Sequence, residues 1–266
     1  MQHRVEGEGE PIVLVPGGLT GCASWKPHAE RLRTTRSVVR VQLVSVEYGL
    51  KDEPLPPGYS LDTESGALGA ALVETGLNGP VDIAAWSFGA AVALLFALEH
   101  PGSVRTLTLI EPPAFWMLDP VPRDPAFEEL RSLGEATRTE VSEERLGMFT
   151  HLVGIVPPGV EPRNMPQWPM WVRYRRSLRN SFAPFAYRDD PDRVKELRLP
   201  VLLVKGTGSA PFLHAVIEAL DRRLPDSEVV EYPAGHAPHI VSIDRFLSKM
   251  TSFQAAKGSI KMTATE

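Results

Sequence analysis

A strand that becomes a helix across a single serine limits the fold of this chain more than any other feature. In Val81-Asp-Ile-Ala-Ala-Trp-Ser-Phe-Gly-Ala90 the apolar run Val81 to Trp86 meets Ser87, and the apolar helix Phe88 to Glu99 begins at once. So sharp a reversal holds the serine in a strained backbone with its Oγ exposed above a sheet, and only small residues fit two places before and two after it. Ala85 and Gly89 fill those places, so the G-x-S-x-G pattern is kept except for alanine in place of the first glycine. Taken as local structure alone, Ser87 would be the N-cap of an ordinary buried helix.

The rest of the chain supplies the sheet. Ile12 to Val15, Val38 to Val46, Val104 to Ile110, Val201 to Val204 and Glu228 to Tyr232 read as strands. Helices are expected at Trp25 to Arg33, Pro211 to Leu224 and from about Ile240 onward. Strands alternating with helices imply an α/β fold, a mostly parallel sheet with helices on both faces. From about Phe115 to Arg198 no strand is convincing, and that stretch reads as a helical insertion rich in aromatic residues. Trp116, Trp168, Trp171 and Tyr174, with Leu19 from an early loop, are candidates for a substrate pocket; the alternative for the aromatics is a small core within the insertion. Residues 254–266, short of large apolar side chains, read as a disordered tail.

Composition narrows the partners. With 28 Lys+Arg against 33 Asp+Glu and no long basic run, nucleic acid is not expected. The single Cys22 cannot form an internal disulfide, and neither a Cys/His ligand spacing nor HExxH is present, so no metal or other cofactor is expected. The N-terminus MQHRVEGEGEP is too polar for a signal peptide, and no apolar run nears the ~20 residues of a membrane helix, so a soluble cytoplasmic protein without membrane contact is expected.

A serine hydroxyl is a weak nucleophile until a base takes its proton. Tyr232-Pro-Ala-Gly-His-Ala-Pro-His239 offers His236 in a loop after the last strand, with His239 as its competitor. An oxyanion needs two backbone N–H groups, and Phe88 and Gly18 could provide them, the latter in Leu14-Val-Pro-Gly-Gly-Leu-Thr-Gly21. That glycine-rich stretch also nearly matches a dinucleotide fingerprint, with Glu47 as a possible acidic partner.

With these residues in place the chain, over residues 11–253, resembles the α/β-hydrolase superfamily. The resemblance implies Ser87 as nucleophile, His236 as base, and Gly18 with Phe88 as oxyanion hole. It implies a hydrolase core over 1–114 and 199–253 with a helical cap over 115–198. One departure is Pro16-Gly17 where the family often has His-Gly. A second lies at the turn after the cap: the family's acid usually stands there, and this chain has Gly206-Thr-Gly-Ser209. Some members take the acid from the strand before the cap, which here ends Leu107-Thr-Leu-Ile-Glu111, so the resemblance points to Glu111; Asp221, Asp226 and Asp244 are rivals. The expected reaction is carboxylic ester hydrolysis through an acyl-enzyme, on a small-molecule ester or lactone. VPGGLTGC and the glutamate before the cap are similar to zearalenone-type lactonases. Carbon–carbon bond hydrolysis on the same triad, or a non-catalytic ligand-binding member of the fold, are the alternatives.

Overall fold

A computed structural model describes residues 1–77, 79–121 and 123–258. Its seven strands are β1 (His3–Glu6), β2 (Glu10–Val15), β3 (Arg36–Val41), β4 (Val81–Trp86), β5 (Val104–Ile110), β6 (Val201–Gly206) and β7 (Ser227–Tyr232). They form one sheet in the order β1-β3-β2-β4-β5-β6-β7. Among the described residues only the β1–β3 pair is antiparallel. Four helices lie between β2 and β5 along the chain: α1 (Lys26–Leu32), α2 (Val44–Lys51), α3 (Leu61–Glu74) and α4 (Phe88–Glu99). Between β5 and β6 lie α5 (Pro125–Thr137), α6 (Glu143–Leu152), α7 (Trp168–Tyr174) and α8 (Ala183–Ala186), joined by short 3-10 turns. Helices α9 (Pro211–Asp221), α10 (Pro238–Val241) and α11 (Ile243–Gly258) complete the chain.

Alternation along the central strands divides the core into two layers. Val13, Val15, Ile83, Leu107, Leu109 and Leu203 face α4 and α9 in one apolar cluster. Their neighbours Ile12, Leu14, Ala84, Ile110, Leu202 and Val204 face Trp25, Phe246 and Met250 in another. Helix α4 is apolar on every side because it is enclosed on every side, Phe88 through Ala97 being buried.

Three departures from the sequence reading have physical causes. The strand expected over Val38–Val46 ends at Val41, and Val44–Val46 belong to α2. The free N–H groups of Val44 and Ser45 at that helix start both bond the carboxylate of Glu64, a residue of α3, so the cap comes from a distant segment. Strand β1 is polar and at the sheet edge, which leaves little alternating signal to read. Residues 254–258, expected in a disordered tail, continue α11 with Gln254 buried; 259–266 lie outside the described residues.

His28 of α1 and His239 of α10 are sealed among aromatic rings. Trp25 stands 4.7 Å from His28 and 4.8 Å from His239, and Trp86 stands 4.8 Å from His239, centroid to centroid. Burial, with Arg31 nearby, pushes the His28 imidazole down to about 4; burial and the neighbouring histidines hold His239 well below the ordinary range. Above about pH 6.5 both are neutral whether the chain is folded or not, and no penalty arises. As pH falls from there toward 4 the unfolded chain gains protons that the folded one refuses, so stability should drop by roughly 3 kcal/mol from His28 alone. Denaturant midpoints measured at pH 7 and pH 4.5 check this. A flat profile would contradict it, and the His28→Leu variant should show a shallower fall than the wild type.

Candidate active site

The register sets the ends of β4, β5 and β6 side by side, with Trp86 opposite Ile110 and Ile110 opposite Val204. Ser87, Glu111 and the Gly206–Ser209 turn therefore emerge at the same C-terminal edge, where open α/β sheets place their ligands. Both Ser87 and Glu111 have positive φ, 54° and 46°, a conformation costing about 1–3 kcal/mol for a residue with a side chain. In each case strand pairing holds the strain: Ser87 N donates to Ile110 O at 2.8 Å and Glu111 N to Val204 O at 3.1 Å.

Gly89 explains why small residues flank the serine. A Cβ added there would lie 2.2 Å from the carbonyl oxygen of Pro16, so glycine lets α4 touch the loop after β2. The Ser87 side chain does not cap α4. Instead its Oγ lies 2.8 Å from His236 Nε2, while His236 Nδ1 lies 2.6 Å from Glu111 Oε2. A carboxylate facing Nδ1 keeps the proton on that nitrogen and leaves Nε2 to accept from the serine hydroxyl. His236 is held from its backbone too, donating N–H to Gly154 O at 3.0 Å and accepting at its carbonyl from Trp86 Nε1 at 2.7 Å.

Glu111 is fully buried. Its Oε1 accepts from Gly206 N at 2.7 Å, and its Oε2 from Ser209 Oγ at 2.6 Å besides His236. The turn that lacks a carboxylate thus donates hydrogen bonds to the carboxylate that comes from β5. Its Gly206 serves packing, since a Cβ there would lie 2.2 Å from Gly235 O in the histidine loop. The other candidate acids point elsewhere: Asp221 accepts from Ser227, Asp226 pairs with Lys257 and Asp244 with Arg31. His239 is enclosed and neither ring nitrogen has a partner, so only His236 reaches the serine.

Gly18 sits beside the start of α4, with Phe88 Cβ 3.7 Å from where a Gly18 Cβ would be. Ser177 Oγ, from the segment between β5 and β6, contacts the Gly18 carbonyl. Glu47 lies in α2, where its carboxylate accepts from Gln2 N at 2.6 Å, not at a strand end as a dinucleotide site would require. Among the described residues no group of three or more His, Cys, Asp or Glu could hold a metal ion, and no helix is long and apolar enough to cross a membrane.

A cavity of about 620 Å³, its mouth included, opens onto Ser87 and His236. Leu19 is among the residues lining it; Trp116, Trp168, Trp171 and Tyr174 are not. Trp116 packs edge-on against Tyr187 at 4.7 Å. Trp168 and Trp171 turn into a separate apolar cluster with Leu19, Val141, Leu146 and Leu178. Tyr174 packs at the margin of the main core, with Arg173 5.9 Å over its ring. The walls are built instead by Phe115, Phe149, Phe185 and Phe212, with Asn180 and Ser181 as polar members. Nothing in the local pattern around those residues marks them as pocket-facing.

Residues 12–248 match the family model described as the alpha/beta hydrolase family. The chain belongs to the alpha/beta hydrolase family. As a hydrolase of this family it is 29% identical over 210 residues to a pimeloyl-[acyl-carrier protein] methyl ester esterase of Neisseria meningitidis serogroup A, covering 77% of this chain and 65% of that one. It is 25% identical over 268 residues to a 2-(acetamidomethylene)succinate hydrolase of Mesorhizobium japonicum, covering 94% and 90%. Among solved structures, a thermophilic esterase from Thermogutta terrifontis superposes with a TM-score of 0.76 over 97% of this hydrolase and 94% of its own chain, at 22% identity.

Proposed function

We propose that this hydrolase cleaves a carboxylic ester through an acyl-enzyme, with Ser87 as nucleophile, His236 as base and Glu111 as acid. The observation that carries the reading is the unbroken chain from Ser87 Oγ through His236 to Glu111, at 2.8 Å and 2.6 Å. Ser87 Oγ attacks the carbonyl carbon while its proton passes to His236 Nε2. The developing oxyanion lies at the start of α4, within reach of the Phe88 N–H and the Gly18 N–H, and the positive end of that helix favours the charge. His236 then returns the proton to the departing alkoxide. A water molecule, deprotonated by the same histidine, attacks the acyl carbon and frees Ser87. Residues 115–198 act as a cap that supplies much of the cavity wall. A lactone follows the same path, with the freed hydroxyl on the same molecule as the acid.

Treatment with a fluorophosphonate is expected to label the protein once, at Ser87 by peptide mass spectrometry, and to abolish turnover of short p-nitrophenyl esters. An unlabelled protein, or an adduct elsewhere with full turnover retained, would refute the assignment.

A further inference from the structure

We infer that Ser177 is a positioning residue for the turn after β2, holding Gly18 so that its N–H meets the charge that develops at Ser87. The inference rests on the acyl-enzyme reading above, with Gly18 as an oxyanion donor. Such a donor works because it is aimed before the reaction begins, and removing one costs about 10²- to 10³-fold in rate. Gly17 and Gly18 are successive glycines, and glycine reaches backbone conformations closed to other residues. Left to itself, the pair could turn the Gly18 N–H away from the serine. Its surroundings restrict it. A Cβ on Gly17 would lie 2.9 Å from the Trp86 ring, and one on Gly18 would lie 3.3 Å from Asn180 Nδ2. Ser177, buried in the 3-10 segment Arg175–Asn180, donates its hydroxyl to the Gly18 carbonyl, 159 residues away in the chain. The same Oγ lies 2.6 Å from Tyr174 O, three residues back on its own segment. Of the two contacts, the one to Gly18 ties the turn after β2 to a distant part of the chain. Fixing that carbonyl fixes the peptide plane that follows Gly18, and so one of the two soft dihedrals on which the direction of the preceding N–H depends.

A brace of this kind must itself be anchored. The segment Arg175–Asn180 is fastened to α2 at both ends and in the middle. A Cβ on Gly49 would lie 2.6 Å from Ser177 N, so the two elements meet backbone to backbone. Asp52, the residue after α2, pairs with Arg176 at 2.7 Å and with Arg179 at 3.1 Å. Near the helix start, Asn180 Nδ2 donates to Ser45 Oγ at 2.9 Å. Helix α2 is held in turn by Glu64, whose carboxylate accepts from Val44 N, Ser45 N and, at 2.6 Å, the Tyr59 hydroxyl. The bond to Gly18 therefore starts from a fixed base, as is needed to keep a donor within ~0.5 Å of its working position.

The test compares Ser177→Ala and Ser177→Thr with the wild type on p-nitrophenyl butanoate, rates being referred to the sites titrated by a fluorophosphonate. Ser177→Ala should lose at least about 5-fold in kcat/KM per titrated site. The inhibition constant of 2-phenylethylboronic acid, whose tetrahedral adduct on a serine sets an oxygen where the oxyanion forms, should rise by a similar factor. Ser177→Thr keeps the hydroxyl and should stay close to the wild type. The pH profile of kcat/KM should keep its shape in both variants, because the His236–Glu111 contact is untouched. A purely structural role would lower the melting temperature and the titrated fraction but leave the rate per site and the boronate constant as they are, and that result overturns the inference. So does an equal loss in both variants at unchanged melting temperature, or a shifted pH profile, which would place the effect on His236. A wild type that takes no fluorophosphonate label would bring down the acyl-enzyme reading itself. A labelled wild type beside a loss under about 5-fold in Ser177→Ala would bring down this inference alone.

Discussion

Ser87→Ala is expected to lower kcat for a p-nitrophenyl ester by about 10⁶-fold, the scale seen when a serine nucleophile that works as a unit with its base is removed. The reason lies in the geometry. Ser87 Oγ combines a position at the sheet edge with a base 2.8 Å away. Its hydroxyl makes no capping bond to α4, so alanine should leave the helix start intact. Residual turnover of about 10³- to 10⁴-fold over water would come from the oxyanion donors and substrate binding. Steady-state rates with the purified variant, beside an unchanged melting curve, check the prediction. A loss under 100-fold would remove Ser87 from the mechanism.

Glu111→Gln is expected to cost about 10⁴-fold in kcat, because an amide facing Nδ1 no longer fixes the imidazole tautomer or offsets the imidazolium charge. Ser209 makes a sharper experiment possible. Its Oγ lies 2.6 Å from the same Glu111 oxygen that His236 approaches at 2.6 Å, so an aspartate at 209 would bring a carboxylate to the neighbourhood of the histidine. Glu111→Gln/Ser209→Asp should recover at least about 10-fold of the lost rate. Ser209→Asp alone should be slower than the wild type, since two carboxylates would then crowd one buried site. Near-normal turnover in Glu111→Gln would show that the acid lies elsewhere. No recovery in the double variant would mean that the turn after β6 cannot present a carboxylate to His236.

The sheet and the serine turn were legible because their signals are local. The apolar runs Val81–Trp86 and Val104–Ile110, and small residues at Ala85 and Gly89, are set within a few residues of the chain. The misread segments share the opposite property. Val44–Val46 look like strand, yet form a helix because Glu64, 20 residues from Val44, caps them. Trp168 and Trp171, aromatic and in the insertion, could serve a cavity or a core equally well, and contact with Leu19 and Leu178 decided for the core.

By itself, then, the sequence determined the α/β architecture, the strained serine and the histidine in the loop after the last strand, each through short-range backbone and packing constraints. The tertiary structure decided which carboxylate faces that histidine, what Ser209 bonds, and which aromatic rings reach the cavity. Those choices depend on how segments about a hundred residues apart meet at one sheet edge, Glu111 with Ser209 at a separation of 98 and with His236 at 125. No local periodicity encodes such meetings, because they are set by strand order, register and the path of the segment between β5 and β6.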